Sequence, residues 1–148
     1  MSTQEPDKKP AVVVRGTARS FKQEILAGKH NLVADEPLSV GGSDAGPGPY
    51  DYLLAALGSC TAMTVGLYAR RKQFPLDDIT VSLWHSRIYA EDCEECETKE
   101  GKLDRIELRL EFTGSLTPEQ KAKLMEIAGK CPVHRTLTSE INIRLRSP

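Results

Sequence analysis

The chain has 148 residues, a net charge of −1 from 20 basic and 21 acidic residues, and 39% hydrophobic residues. So balanced a charge gives no electrostatic reason to expect nucleic acid or an anionic membrane as partner. The length suits a single domain able to bury its own core without disulfides or a structural metal. Met1–Pro10 is polar, with Pro6 and Pro10 set among charges and no apolar run of the signal-peptide type. It reads as a disordered lead-in to one domain over residues 11–148, and the cytoplasm is the expected address.

From Ala11 the β-branched run AVVVRGTA predicts a strand. Phe21 and Ile25 suggest a second, Gly28-Lys29 a hairpin turn, and His30–Asp35 the third strand of a meander. Pro37, Gly41, Gly42, Gly46, Pro47 and Gly48 then exclude regular structure. A helix is predicted over Tyr50–Gln73, with Pro49 in its first turn, Asp51 favouring the helix dipole and Arg70, Arg71 and Lys72 closing it. Its apolar residues run nearly all round from Leu53 to Val65, which predicts a buried central helix and a dimer to cover it. The longest apolar stretch, Tyr52–Val65, is broken by Gly58, Ser59, Thr61 and Thr64 and reads as too short to span a bilayer.

Ile79–Tyr89 and Leu103–Phe112 alternate apolar and polar residues and pair as a long hairpin around an acidic loop. Thr117 and Gln120 form the signature of a capping box that opens a second helix. Cys131-Pro132 interrupts that helix, Val133–Thr138 allows a further helical turn, and Ile141–Leu145 reads as a closing strand. The order β-β-β-α-β-β-α-β is that of an α+β fold with antiparallel sheet around the central helix.

Four cysteines bear the chemistry. Cys60, inside the apolar helix, is either a packed small hydrophobe or a nucleophile given room by Gly58 and Ser59. Cys131 precedes a proline, which disfavours helical backbone at the cysteine. If a short helix starts at Pro132, its N–H groups and the nearby Lys130, His134 and Arg135 favour a thiolate there. Cys93-x-x-Cys96 lies among carboxylates whose field opposes thiolate formation. It reads first as surface-loop thiols, with metal binding or an auxiliary disulfide as alternatives. His30 and His85 fall in strands and read as structural, and Arg15 and Arg19 as solvated. No metal or other cofactor is expected.

The segment from Gly46 through Pro49-Tyr50-Asp51-Tyr52 to Gly58-Ser59-Cys60, followed by Cys131-Pro132-Val133-His134-Arg135, resembles the OsmC/Ohr superfamily. The resemblance runs from about Arg15 to Ile143 and implies an α+β fold in an intertwined homodimer. It implies a thiol peroxidase for organic hydroperoxides in oxidative-stress defence, recycled by a dithiol reductant, in some members a lipoylated protein. By that likeness Cys60 is the peroxidatic thiol and Cys131 resolves its sulfenic acid through a disulfide. Arg19, or else Arg15, corresponds to the activating arginine, and Asp51 to the helical carboxylate. Asp51 departs from the family pattern: it is shorter than the usual glutamate and one residue closer to Cys60. A non-catalytic redox-sensing or small-molecule-binding member of the same family is the alternative, and an apolar pocket around Leu53, Leu57 and Met63 is expected to favour organic peroxides.

Overall fold

The computed structural model describes residues 8–148, so most of the lead-in expected over Met1–Pro10 lies outside the described residues. The chain divides into two compact units, Met1–Tyr52 and Leu53–Pro148.

In the first unit β1 (Val12–Gly16), β2 (Gln23–Ala27) and β3 (His30–Ala34) form an antiparallel meander in chain order. Ala27 pairs with His30, which leaves Gly28-Lys29 as a two-residue loop. Gly28 has φ +61°, the positive value that the first central residue of a type II′ turn needs and that glycine adopts without a Cβ clash. Beyond β3, the buried Asp35 carboxylate accepts the N–H groups of Glu36, Ser43 and Ala45 at 2.8, 3.2 and 3.1 Å. These three bonds fold the glycine-rich loop back on itself, and they hold the Asp35 carboxyl below its ordinary range, the Glu36 N–H contributing most. Tyr52 fastens its end of the unit by donating its hydroxyl to the Val33 carbonyl at 2.6 Å. All of β1 is exposed, including Val12, Val13 and Val14.

Helix α1 (Pro49–Lys72) begins at the predicted proline. It ends where Gln73 takes φ +56° and the Phe74 N–H reaches back to the Ala69 carbonyl at 2.9 Å, a Schellman-type stop. Its buried residues, Leu57, Gly58, Thr61, Val65 and Ala69, make one stripe at roughly helical spacing. Gly58 sits there because Leu83 comes close: a Cβ would stand 2.6 Å from Leu83 Cδ1. The space attributed to Gly58 near the sulfur is therefore filled by Leu83. The burial expected all round the helix is confined to this stripe, and Met63 is 71% exposed. The bilayer expectation also changes, because the helix extends beyond Tyr52–Val65 at both ends. Its 24 residues are long and apolar enough to cross a membrane by length and composition alone, a property that the core helix of a soluble protein shares.

In the second unit β4 (Ile79–Tyr89) and β5 (Lys102–Phe112) pair antiparallel along their whole length, Ile79 with Phe112 and Tyr89 with Lys102. Helix α2 (Pro118–Ala128) opens with the predicted capping box. Thr117 Oγ1 accepts the Gln120 N–H at 3.1 Å, and Gln120 Oε1 accepts the Thr117 N–H at 3.0 Å. Its Leu124 and Ala128 pack on Val65 and Ala69 of α1, flanked by Tyr68, Phe74, Leu110 and Phe112. A short helix, α3 (Pro132–Leu137), follows. The strand expected over Ile141–Leu145 is not formed. Its alternating pattern is intact, but a strand exists only against a ladder partner, and Ile143 and Leu145 remain 81% and 98% exposed.

Leu124 is fully buried, so Leu124→Ala removes side-chain volume that its neighbours cannot refill. Urea denaturation should give a loss of about 3 kcal/mol, against about 1 kcal/mol for loss of the cap in Thr117→Ala.

Candidate active site

The Cys131-Pro132 step organises the site. Proline starts α3 without wasting an N–H, and Cys131 takes extended backbone (φ −65°, ψ 141°) as the residue before it. The cysteine thereby becomes the helix N-cap, and its Sγ accepts the His134 N–H at 3.2 Å. The Cys131 side chain has no exposure. It also meets the thiol of Cys60 and the hydroxyl of Thr61, both from α1. Two sulfurs far apart in sequence are thus brought together as neighbours.

Electrostatically, burial pushes the Cys131 thiol up, as it does any group that must charge in an apolar setting. The opposing contributions win: the His134 N–H bonded to the sulfur, with the neighbouring Cys60 thiol, Thr61 hydroxyl and Val133 N–H, holds Cys131 below the ordinary thiol value. Cys60 differs in access, since it is half-buried where Cys131 is sealed. An incoming molecule therefore meets Cys60 first, with Cys131 behind it.

A cavity of about 180 Å³ is lined by Leu57 of α1, Asp104, Ile106 and Leu108 of β5, and His134, Leu137 and Thr138 of the α3 segment. It shares His134 with the surroundings of Cys131 and begins one helical turn before Cys60. Leu57 is in this wall as expected, but Met63 points to solvent and Leu53 is not part of the lining. At its polar edge Asp104 Oδ1 lies 2.8 Å from His85 Nε2 and 3.8 Å from Arg87 Nε. A larger hollow of about 500 Å³ lies in the first unit, among Glu36, Asp44 and Pro47–Asp51, and has no cysteine in its lining.

The other predicted residues lie in the first unit. Asp51 Oδ2 accepts the Gly48 N–H at 2.9 Å and so caps the first turn of its own helix. Arg19 is exposed in the turn after β1, where its backbone N–H donates to Thr17 Oγ1 at 3.3 Å. Arg15 stands opposite Glu24 in the β1–β2 register. Thr61 escaped the sequence reading, which treated it only as an interruption of an apolar run. A hydroxyl one residue after a helical cysteine was the available signal, and its importance appears only once Cys131 arrives against it. The reading of Cys93 and Cys96 as surface thiols is corrected: they form a disulfide and Cys93 is buried. Two thiols this close in a turn can pair with each other, which takes them out of reach as separate ligands. Among the described residues no group of three or more His, Cys, Asp or Glu side chains is arranged to hold a metal.

A family model for OsmC-like proteins matches residues 41–146. The chain belongs to the OsmC family. No curated protein matches the sequence at a significant level. Solved structures give the OsmC-type fold. An OsmC-like protein from Mycoplasma pneumoniae is 22% identical with a TM-score of 0.68, over 89% of each chain. An organic hydroperoxide resistance protein from Legionella pneumophila is 19% identical with a TM-score of 0.62, over 90% of this chain and 92% of that one. The organic hydroperoxide resistance protein OhrB of Bacillus subtilis is 17% identical with a TM-score of 0.58, over 86% of this chain and 88% of that one.

The lowered Cys131 value has a definite sign for this OsmC-family chain. An acidic group depressed in the folded state contributes stability that is complete above its unfolded value, about 8.5 for a thiol, and is lost as pH falls through the folded value. Relative to Cys131→Ser, the wild-type protein should gain stability as pH rises toward about 8.5 and then level off. Urea denaturation across a pH series reads this, and Thr61→Val should shrink the gain.

Proposed function

We propose that this OsmC-family chain is a cysteine-based peroxidase that reduces organic hydroperoxides in defence against oxidative stress. The observation that carries the reading is the meeting of a half-buried Cys60 with a buried Cys131. Cys60 gives up its proton to solvent, while Cys131 beside it is held toward its thiolate by the His134 and Val133 N–H groups. Cys60 then attacks the outer oxygen of the peroxide, the O–O bond breaks, and an alkoxide leaves and takes a proton. Cys60 is now a sulfenic acid, the reversible first stage of thiol oxidation. Cys131 displaces its hydroxyl to form a disulfide and water, before further peroxide can over-oxidise Cys60. A dithiol reductant, in some family members a lipoylated protein, then returns both thiols.

Arg19 is assigned the activating cation, which would favour the Cys60 thiolate and steady the departing alkoxide. Asp51 is assigned a positioning part, because its bond to Gly48 fixes the start of the helix that carries Cys60. The apolar walls of the cavity, Leu57, Ile106, Leu108 and Leu137, suit an alkyl or aryl peroxide better than hydrogen peroxide. The working form is a cytoplasmic homodimer of a single domain spanning residues 11–148. Supporting the dimer are the uncovered Met63 and Leu67 on α1, the bare valines of β1 and the strand-patterned tail without a ladder.

Three measurements test this. Consumption of cumene hydroperoxide with dithiothreitol should fall by at least about two orders of magnitude in Cys60→Ser. In Cys131→Ser, sulfinic acid should accumulate on Cys60 by mass spectrometry. Unchanged turnover in Cys60→Ser refutes the assignment, whereas one disulfide per chain without repeated turnover favours the sensing alternative. Sedimentation should give twice the mass of one chain.

A further inference from the structure

The Cys93–Cys96 disulfide takes no part in the peroxide chemistry above. It lies within the loop between β4 and β5, with Cα atoms 5.4 Å apart, within the range a disulfide spans. Its two sulfurs are unequal: Cys93 is 2% exposed, whereas Cys96 is half-buried on the outer side of the loop. The backbone under Cys93 is tied down on both sides. The Ala90 N–H donates to the Gly101 carbonyl at 2.9 Å, and the Cys93 N–H to the Ala90 carbonyl at 3.1 Å. Lys99 Nζ donates to the Cys93 and Glu94 carbonyls at 3.2 and 3.1 Å. Along the loop with the pair run Glu91, Asp92, Glu94, Glu95, Glu97 and Glu100, with Lys99 the loop's one cation before Lys102 opens β5.

We propose that Cys93–Cys96 is a thiol–disulfide exchange site, entered at Cys96 by a dithiol whose thiols sit on a basic surface. The dithiol's thiolate attacks Cys96 Sγ, the sulfur–sulfur bond breaks, and Cys93 leaves as a thiolate that takes a proton from solvent. The second thiol of the reductant then attacks the mixed disulfide and releases Cys96, which is protonated in turn. The reductant departs as a disulfide, and two electrons and two protons have passed to the chain. Access selects the sulfur attacked, since the tied backbone keeps Cys93 inside. Charge selects the partner: an incoming thiolate is an anion approaching six carboxylates, and neighbouring lysines or arginines on the partner offset that repulsion. The site is independent of Cys60 and Cys131, so it stands or falls separately from the peroxidase reading.

The test uses full-length oxidised protein carrying Cys60→Ser and Cys131→Ser, so that only this pair reacts. Two synthetic Cys-Gly-Pro-Cys peptides serve as probes, one flanked by lysines and one by glutamates, and alkylation with mass spectrometry follows the reduction. At low salt the lysine peptide should reduce the folded protein about 10-fold faster, and about 0.5 M NaCl should remove most of the difference by screening. Adding Cys93→Ser should trap the peptide on Cys96, whereas adding Cys96→Ser should leave Cys93 unmodified. Peptide mapping of the wild-type chain during the reaction gives the same assignment without relying on the folding of any variant. Equal rates for the two peptides, adducts on Cys93, or reduction only after the chain unfolds would overturn the proposal, the last leaving a purely structural staple.

Discussion

The Cys131 sulfur accepts the His134 N–H at the first turn of α3, and the meeting of Cys131 with Cys60 and Thr61 depends on that turn. A cysteine before proline cannot continue α2, so the chain turns and starts a new helix with the sulfur as its cap. The turn drives the side chain inward against α1, where it meets Cys60 and Thr61. One local conformational rule, acting on a dipeptide, thereby fixes both the partner of Cys60 and the charge preference of Cys131. The cost of burying a thiolate is offset by N–H and hydroxyl groups already aligned toward it, which is how a sealed sulfur can still favour the charged form.

The pair depends in turn on how α1 is held. Its stripe of Leu57, Gly58, Thr61, Val65 and Ala69 is the packed surface of the second unit. Gly58 allows Leu83 of β4 to approach, and Leu124 and Ala128 of α2 close over Val65 and Ala69. Thr61 belongs to both systems: its hydroxyl donates to the Leu57 carbonyl at 2.8 Å and also faces Cys131. A polar group with no exposure is tolerated there because the Leu57 carbonyl satisfies it. Packing and chemistry are therefore joined at a single side chain.

Two pairs of cysteines in one small unit occupy opposite electrostatic settings. Cys131, beside Cys60, faces amide hydrogens that favour its thiolate. Cys93 and Cys96 are closed on each other amid carboxylates. Each pair has one inner and one outer sulfur, so exchange at either has a defined direction of entry. The opposing fields keep the two from drawing on the same partners: small uncharged molecules suit the apolar cavity, and cationic surfaces suit the acidic loop.

The sequence alone determined the elements whose signals are local. The valine run, the turn at Gly28-Lys29, the proline that opens α1, the capping box at Thr117 and the alternation of β4 and β5 each depend on residues within a few positions, and all appear where they were expected. It also singled out Cys131, because the residue before a proline carries its own conformational restriction. Tertiary structure decided the rest. Which faces of α1 are covered, that Gly58 admits Leu83, that Thr61 serves the sulfur and that Cys93 is buried are all relations between segments distant in the chain. The tail makes the same point, since Ile141, Ile143 and Leu145 alternate correctly and still form no strand. Periodicity says which face of a segment is apolar, but only a partner surface supplies the hydrogen bonds and contacts that give that face a place.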